Sequence, residues 1–337
     1  MVFSIKKQGF PVSHGLGLQG EAPSDTMDFS VLYNLFFQGA LVKGGDWGGP
    51  ICRSKSVSSE TRILETAMWL AFSISVYLLL DVPGVVSWMH KTATKELEHQ
   101  GAISSSMDGE DALPRPVVGK KGRWSMYEKA LAAVHFFMFV QLVYWKFRDN
   151  VLIMLTQPCH ILLFLQGVAL LSSTSLGPLI TVLQLPTLFG SLLAMIVPAT
   201  SGLSTIEVRA YWIQHLLIQV GPVYLLSRQN FAALKVCNLK SIIVGIWICQ
   251  IAHWTFYDWV DFWADVNVEF MLCPTEGMIA AFSLVPPGLK ALLQPSWRTT
   301  LTWFVALSAI PLSYAYVLLC HAIRLSTASR SKKFYKN

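Results

Sequence analysis

The sequence has 337 residues, of which 53% are hydrophobic and only 14% are charged. Soluble domains carry about 25% charged residues, so this chain lacks the polar side chains to cover a water-facing surface of its size. Its mean hydropathy is +0.47, and residues 151–206 contain no Asp, Glu, Lys or Arg. Since a membrane span needs about 20 apolar residues, that stretch alone holds two spans. The composition excludes a soluble enzyme and predicts an all-α, polytopic membrane helical bundle.

An N-terminal segment, 1–62, is expected to lie outside the bundle on the non-cytoplasmic side. Its apolar stretch at 29–42 is too short to span a membrane, and we expect it to lie at the interface or to cap the bundle. A Gly-rich turn follows at 44–52.

Seven spans are predicted within a bundle that covers 63–326. Each span is almost free of charge in its middle and is bounded by charged residues or by Gly, Pro and Ser. Residues 90–124 are expected to form one long polar loop, and 327–337 a basic tail. The spans are placed at 63–86, 126–147, 151–173, 178–198, 207–227, 241–263 and 300–323.

The basic residues predict the orientation. The loops and tail on the C-terminal side hold 15 of the 26 Lys and Arg residues, and the other side holds 11. By the positive-inside rule, the C-terminus is predicted to be cytoplasmic and the N-terminus lumenal or extracellular. The basic residues are scattered and have no interleaved aromatic cluster, so no nucleic-acid partner is expected despite a pI of about 9.0.

Two cysteines fall on the predicted non-cytoplasmic side, where disulfides persist. A bridge between Cys52 and Cys273 would tie the N-terminal segment to the loop at 264–299. Two reduced thiols are equally compatible with the sequence.

Polar and ionisable side chains inside a span are costly and indicate function. Three predicted spans carry them, and at about 100° per residue those of spans five and six each fall on one helix face. Such stripes are predicted to face the bundle interior. Span three carries Gln157, Pro158, Cys159 and His160; span five carries Glu207, Tyr211, Gln214, His215 and Gln219; span six carries Cys249, Gln250, His253, Tyr257 and Asp261.

Cys159, His215 and His253 lie at a similar depth. Counted at about 1.5 Å per residue, all three sit roughly 12–15 Å below the same surface, so they can meet if the helix order allows it. They are acceptable zinc ligands, but no pair has the tight in-helix spacing of zinc-binding helices. Neither a metal nor another cofactor is predicted.

Pro158 fits best at the first position of a helix. A helix that begins there places Cys159 in its first turn, where the positive end of the dipole stabilises a thiolate. With a histidine as base, such a thiol is suited to acyl transfer. The alternative interpretation is that Pro158 only kinks the span and that Cys159 is a packing residue.

At these residues the chain resembles the transmembrane protein 164 family, integral membrane acyltransferases of phospholipid remodelling. The likeness lies in ordered local motifs between about 45 and 274. They are GGPIC at 48–52, RILE at 62–65, Lys146-Phe147, PCH at 158–160, Glu207 with IQH at 213–215, PVYLL at 222–226, and DVN at 265–267 before MLCP at 271–274. Gln157 stands where the family motif has Asn.

The resemblance implies transfer of a polyunsaturated acyl chain between phospholipids without coenzyme A, with ether-linked phosphatidylethanolamine as a product. The partners would be a phospholipid acyl donor, a lysophospholipid acceptor and the bilayer. An endoplasmic reticulum or Golgi location follows by analogy. The family's nucleophile and histidine fall on Cys159 and His215.

The resulting hypothesis is that Cys159 attacks the sn-2 ester of a donor lipid while His215 takes the thiol proton. Gln214, Asn267 or a backbone amide near Pro158 would stabilise the oxyanion. Two further groups complete the predicted pocket: Glu207 as a polar or headgroup contact, and His253 as a partner of the base or of the headgroup phosphate. The rival classes are a lipid or solute transporter and a seven-helix receptor without catalysis.

Overall fold

The computed structural model describes residues 29–39, 58–106, 126–200, 203–228, 231–264, 266–268, 286 and 297–334. All the secondary-structure elements in these ranges are helical. The first is α1 (Phe29–Tyr33), which continues as a π-helical turn, Asn34–Gln38.

Three long helices follow, and they are α2 (Ser59–Leu79), α3 (Val82–Ser106) and α4 (Met126–Arg148). A 3-10 turn, Leu152–Thr156, leads into α5 (Pro158–Leu171). The next segment is broken, because α6 (Leu176–Leu183) and α7 (Leu188–Ile196) are separated by the 3-10 turn Leu185–Thr187.

The second half of the chain contains α8 (Thr205–Arg228) and the short α9 (Phe231–Val236). Then α10 (Leu239–Ala252) passes through a π-helical turn, His253–Tyr257, into α11 (Asp258–Ala264). The last helix is α12 (Trp297–Phe334).

Among the described residues, five helical segments are long and apolar enough to cross a membrane, by length and composition, and they make this a multi-pass membrane protein. They are Ser59–Leu79, Met126–Arg148, Leu176–Ile196, Leu239–Asp261 and Arg298–Ile323. Helix α5 is apolar but has only 14 residues, and α8 has 24 residues but is not among the five. The predicted count of seven spans is therefore not confirmed.

The first predicted span, 63–86, is wrong in its bounds. Helix α2 ends at Leu79, and Asp81 adopts a left-handed conformation with φ of 48°. The Asp81 carboxylate then accepts a hydrogen bond from the Gly84 backbone N–H at 3.2 Å, which caps the start of α3. A short polar side chain tolerates this backbone conformation better than the apolar residues around it, so the span divides here.

Three further boundaries differ from the prediction. The segment predicted as a polar loop, 90–124, is helical as far as Ser106 because α3 continues through it, and 107–125 lie outside the described residues. The third predicted span, 151–173, is a 3-10 turn followed by the shorter α5. Helix α12 also runs through most of the predicted tail, to Phe334.

The surface carries the apolar side chains expected of a protein in lipid. Large hydrophobic residues are exposed along the spans, because the outer face of a membrane bundle contacts lipid tails and not water. Examples are Leu78, Phe137, Val140, Leu307 and Leu318.

The interior contains two main clusters of buried apolar side chains. The larger one joins α3, α4, α5, α6, α8, α10 and α12, with Met89, Leu142 and Leu163 among its members. The second lies where Trp69 of α2 stacks on Trp254 at a ring distance of 5.4 Å, and it includes residues of the 3-10 turn before α5. Since α2, α5 and α12 begin near this second cluster, and α4 and α11 end near it, we refer to this end of the bundle as the site end.

Candidate functional site

Cys159 lies in the first turn of α5, as the position of Pro158 predicts. Helix α5 begins at Pro158, and Gln157 precedes it in an extended conformation with ψ of 138°. The Cys159 side chain is half-buried and packs against the larger apolar cluster. The first-turn amides of a helix carry a partial positive charge, so the sequence places this thiol where a thiolate is stabilised.

Helix α8, which packs against α5, carries a tyrosine and a histidine of the predicted site. The Tyr211 hydroxyl donates a hydrogen bond to the Ala194 carbonyl at 2.6 Å. The Tyr211 ring packs on the His215 ring at a centroid distance of 4.2 Å. Tyr211 is therefore the residue that packs on the predicted base.

The tautomer of His215 follows from its backbone contact. Its Nδ1 lies 2.7 Å from the Tyr211 carbonyl oxygen, which can only accept a hydrogen bond, so Nδ1 carries the proton. The lone pair is then on Nε2. With 2% of the residue exposed, this is a buried imidazole whose basic nitrogen is fixed by its own helix, which is the arrangement a general base requires.

A second histidine also reaches this region. His160 Nδ1 lies 2.6 Å from the Met154 carbonyl oxygen, in the 3-10 turn before α5, so it too carries its lone pair on Nε2. Its ring is buried, and its Nδ1 is held by this 3-10 turn. The sequence predicts His160 to be a poor partner for Cys159 because adjacent residues point about 100° apart, and this stays a prediction.

Gln214 is buried on the inner face of α8, and the prediction that the polar stripe of this span turns inward is confirmed. Only 1% of Gln214 is exposed, and its Nε2 makes no hydrogen bond with any residue that the structure describes. A buried donor without a partner costs about 1–3 kcal/mol. That cost is removed when a ligand oxygen or a water occupies the position next to it.

Glu207 has a structural explanation. One carboxylate oxygen accepts hydrogen bonds from the Ser204 N–H at 2.9 Å and the Ser204 hydroxyl at 2.7 Å. The Ser204 hydroxyl in turn accepts from the Glu207 N–H at 3.4 Å, which forms a capping box at the start of α8. The same carboxylate lies 3.9 Å from Arg148. Its predicted role in the pocket stays a prediction.

Four charged side chains form a buried group at the site end, which we call the ion-pair cluster: Arg62, Glu65, Asp258 and Arg298. Asp258 accepts from Arg62 at 2.9 Å and from Arg298 at 2.5 Å, and Arg298 also lies 3.2 Å from Glu65. The guanidinium of Arg298 stands 4.8 Å from the centre of the Trp254 ring. The cluster joins the starts of α2 and α12 to the start of α11.

His253 and Asn267, two residues of the predicted pocket, lie in this second polar region. His253 is within electrostatic range of Arg298 and Asp258, and Asn267 is buried between Val266 and Val268 of the second apolar cluster. The Val268 N–H donates to the buried Asp261 carboxylate at 2.8 Å. His253 thus lies beside Trp254, whose ring the Arg298 guanidinium of the ion-pair cluster faces.

One contact links the two polar regions. The Tyr257 hydroxyl donates to the Thr156 carbonyl oxygen, two residues before Pro158. The π-helical turn that carries His253 therefore packs directly on the turn that sets the start of α5.

The other site predictions are not tested. Cys52 and Cys273 lie outside the described residues, so their pairing stays a prediction. Within the described ranges, no group of three or more His, Cys, Asp and Glu side chains is arranged to hold a metal ion.

Sequence reasoning missed the ion-pair cluster. Three of its members lie within a few residues of the end of a predicted span, and these span ends all face the predicted non-cytoplasmic side: Arg62, Asp258 and Arg298. Charges of opposite sign at a common depth of a membrane bundle tend to pair, so their positions carried a usable signal. Lys146 was noticed only as part of a family motif, although it is buried at the end of α4.

No solved structure matches this chain. The family comparison matches residues 60–317, about three quarters of the sequence, which include both polar regions described above. On this match the chain belongs to the TMEM164 family.

Proposed function

We propose that this protein is a membrane-embedded phospholipid acyltransferase that works through an acyl-cysteine at Cys159. The observation that supports the proposal is the placement of that thiol in the first turn of α5, a helix that packs against α8, where the Tyr211 ring packs on His215. His215 presents Nε2 as its basic nitrogen because Nδ1 is held by the Tyr211 carbonyl.

In the first half-reaction, the thiol proton moves to His215 Nε2 and the Cys159 sulfur attacks the sn-2 ester carbonyl of a donor phospholipid. The carbonyl oxygen becomes negative in the tetrahedral intermediate. Gln214 Nε2, a buried donor without a hydrogen-bond partner, is the group we assign to that oxygen. The ester C–O bond then breaks, and the lysophospholipid leaves with the proton from His215.

In the second half-reaction, His215 takes the proton of a lysophospholipid hydroxyl, which attacks the thioester. The sulfur leaves as the thiolate and recovers its proton from His215, so the enzyme returns to its starting state without coenzyme A. A site enclosed by apolar helices and lipid excludes water, and this favours transfer over hydrolysis. The substrates we assign by family are a polyunsaturated acyl donor and an ether lysophosphatidylethanolamine acceptor.

The proposal is tested with the purified protein in vesicles that contain a donor phospholipid labelled in its sn-2 chain. We expect the label to reach Cys159 as a hydroxylamine-sensitive adduct and then to reach the added ether lysophosphatidylethanolamine. Cys159→Ala should abolish both signals, and His215→Ala should slow transfer by about 10²–10⁴-fold. Cys249→Ala is the matched control, because Cys249 is also half-buried in a span. Equal transfer by the Cys159→Ala protein would refute the proposal.

A second candidate function is transport of a lipid or polar solute. The break at Leu185–Thr187 inside a membrane-spanning segment favours it, since transporters build their sites from discontinuous helices. Next to this break, both polar side-chain atoms of the buried Gln184 make no hydrogen bond. A transporter would move substrate in vesicles equally well after Cys159→Ala, and no acyl-cysteine would form.

The location we propose is the endoplasmic reticulum or Golgi, with the N-terminus lumenal and the C-terminus cytoplasmic. The excess of Lys and Arg on the C-terminal side supports this orientation. An epitope tag added after Asn337 should be accessible to antibody when only the plasma membrane is permeabilised, and a tag before Met1 should not. The opposite pattern would reverse the orientation.

A further inference from the structure

Ser191 of α7 differs from other buried serines of the spans in its hydrogen bonding. A serine hydroxyl inside a helix commonly donates to the carbonyl four residues earlier, as Ser313 does to the Ala309 carbonyl at 2.7 Å. Only 4% of Ser191 is exposed, and its Oγ makes no hydrogen bond with the described part of the chain. This hydroxyl therefore keeps a donor and an acceptor for a ligand.

Two hydrogen bonds fix how α7 lies against α8. The Tyr211 hydroxyl donates to the Ala194 carbonyl at 2.6 Å, and Gln219 Nε2 donates to the Leu188 carbonyl at 2.9 Å. The residue numbers rise along α8 as they fall along α7, so the two helices pack antiparallel to each other. The two bonds thus determine which residues of α7 and α8 are opposite each other.

Ser191 and His215 each lie halfway between these two bonds. His215 is four residues from both of the α8 side chains that donate, so its direction differs from theirs by about 40°. Ser191 is three residues from both of the α7 carbonyl groups that accept, which is a difference of about 60°. Both residues are buried. Ser191 therefore lies across the α7–α8 contact from His215.

The two residues offer complementary groups. His215 presents the lone pair of Nε2, because its Nδ1 is held by the Tyr211 carbonyl at 2.7 Å, and Ser191 presents a hydroxyl that can donate. The groups that flank the pair are already engaged, since Gln219 Oε1 accepts from the Tyr316 hydroxyl. A ligand hydroxyl fits this pair, because its proton needs an acceptor and its oxygen can accept a hydrogen bond. An ester carbonyl has no proton for the imidazole.

We propose that Ser191 binds the free hydroxyl of the lysophospholipid acceptor and holds its proton against His215 Nε2. The inference rests on the proposed acyltransfer function and names the place of its second substrate. The acceptor then occupies the α7–α8 contact, while the acyl group is carried by Cys159 at the start of α5.

The step conserves protons and bonds as follows. The Ser191 hydroxyl donates a hydrogen bond to the acceptor oxygen and keeps its own proton. The acceptor O–H bond breaks as its proton moves to His215 Nε2, and the oxygen forms the new ester bond at the thioester carbon. The C–S bond breaks, and the Cys159 thiolate then takes the proton from His215.

The first test separates the two half-reactions in the purified protein in detergent micelles. A labelled donor phospholipid acylates Cys159, and ether lysophosphatidylethanolamine is then added. For Ser191→Ala we expect an unchanged rate of acylation and a KM for the acceptor that is about 5- to 10-fold higher, the loss of one neutral hydrogen bond. Ser191→Thr, which keeps the hydroxyl, should retain most of the acceptor affinity. The control is Ser313→Ala, which removes a buried hydroxyl that its own helix satisfies.

The second test measures binding without catalysis. In the Cys159→Ala protein no acyl-cysteine can form, so a lysophospholipid can only bind. Its affinity is compared with that of an analogue that lacks the sn-2 hydroxyl. We expect the hydroxyl to improve binding about 5- to 10-fold, and we expect this advantage to disappear when Ser191→Ala is added. If the advantage is found although the wild-type protein forms no acyl-cysteine, the acyltransfer proposal fails and the hydroxyl site stands.

Three results would overturn the inference. The first is an Ser191→Ala protein whose acylation slows as much as its transfer to the acceptor, which would make Ser191 a support of the base or of the fold. The second is an equal advantage of the sn-2 hydroxyl in binding with and without Ser191. The third is a labelled acyl group on Ser191 itself, detected by mass spectrometry, which would make this residue an acyl carrier.

Discussion

The ion-pair cluster gives the sharpest prediction about stability. Arg298 has no exposed side-chain surface, and it contacts two carboxylates, those of Asp258 and Glu65. Replacing it by Met keeps a similar volume and removes the charge. Asp258 still has Arg62 at 2.9 Å, but within the described part of the chain Glu65 keeps only the hydrogen bond from the Thr299 hydroxyl at 3.0 Å.

The expected cost follows from that difference. Removing one partner of a buried ion pair costs about 3–5 kcal/mol, because the other charge stays buried without compensation. The loss of the contact with the Trp254 ring adds about 1 kcal/mol. We therefore expect Arg298→Met to lower the free energy of unfolding by about 4 kcal/mol or more.

The assay is an unfolding titration with sodium dodecyl sulfate in mixed micelles, followed by tryptophan fluorescence. The stacked pair Trp69 and Trp254 lies beside the cluster and reports on it directly. Arg148→Met is the control, because that side chain is half exposed and pairs with its neighbour Asp149. An exposed pair of this kind contributes about 0–1 kcal/mol.

The physical reasoning is tested by a second substitution. If the cost arises from an unpaired Glu65, then Glu65→Gln should recover stability in the Arg298→Met background, by a coupling of about 1–3 kcal/mol. Two results would refute the argument: an Arg298→Met cost no larger than that of Arg148→Met, or strictly additive effects of the two substitutions.

Three further predictions follow from single positions. Gly245→Ala should destabilise the protein by about 1–3 kcal/mol, because the new Cβ would lie 2.6 Å from the Leu183 carbonyl oxygen. Gly190→Ala should be neutral or stabilising in the same titration, because a Cβ at that position would meet nothing within 4 Å. Asp81→Ala should cost about 1–2 kcal/mol by removing the cap of α3, and Asp81→Asn should be tolerated; equal losses would contradict the capping role. Tyr211→Phe should keep acyl transfer within several-fold because the ring still holds His215, and Tyr211→Ala should slow it far more; equal rates for the two proteins would show that the ring does not position the base.

The features predicted correctly from the sequence are those that local geometry determines. The start of α5 follows from the fixed φ and the missing N–H of Pro158. The burial of Gln214 and His215 follows from the period of the helix and the cost of polar groups in lipid. Neither inference requires knowledge of the neighbouring helices.

The features that were missed depend on tertiary contacts. The α2–α3 break is the exception, because Asp81, Pro83 and Gly84 interrupt the apolar pattern of the predicted span as local turn signals, and the hydrogen bond from Gly84 to Asp81 is local as well. The packing of Arg298 on Trp254, next to His253, depends on helix order, which equal depth alone does not determine. The burial of Lys146 at the end of α4 depends on the surrounding fold as well.

The π-helical turn at His253–Tyr257 determines how the part of the span after it is rotated relative to the part before it. Such a turn takes up an extra residue, so everything after it is rotated by about 100° relative to an uninterrupted α-helix. Upstream of it, Trp247 donates to the Ser73 carbonyl at 2.9 Å; downstream, Asp258 meets the two arginines. Deleting one residue between Trp247 and Asp258 would remove no side chain of the ion-pair cluster. It would nevertheless rotate Asp258 away from Arg62 and Arg298. Throughout the family, this span should therefore accept changes of side chain far more readily than changes of length.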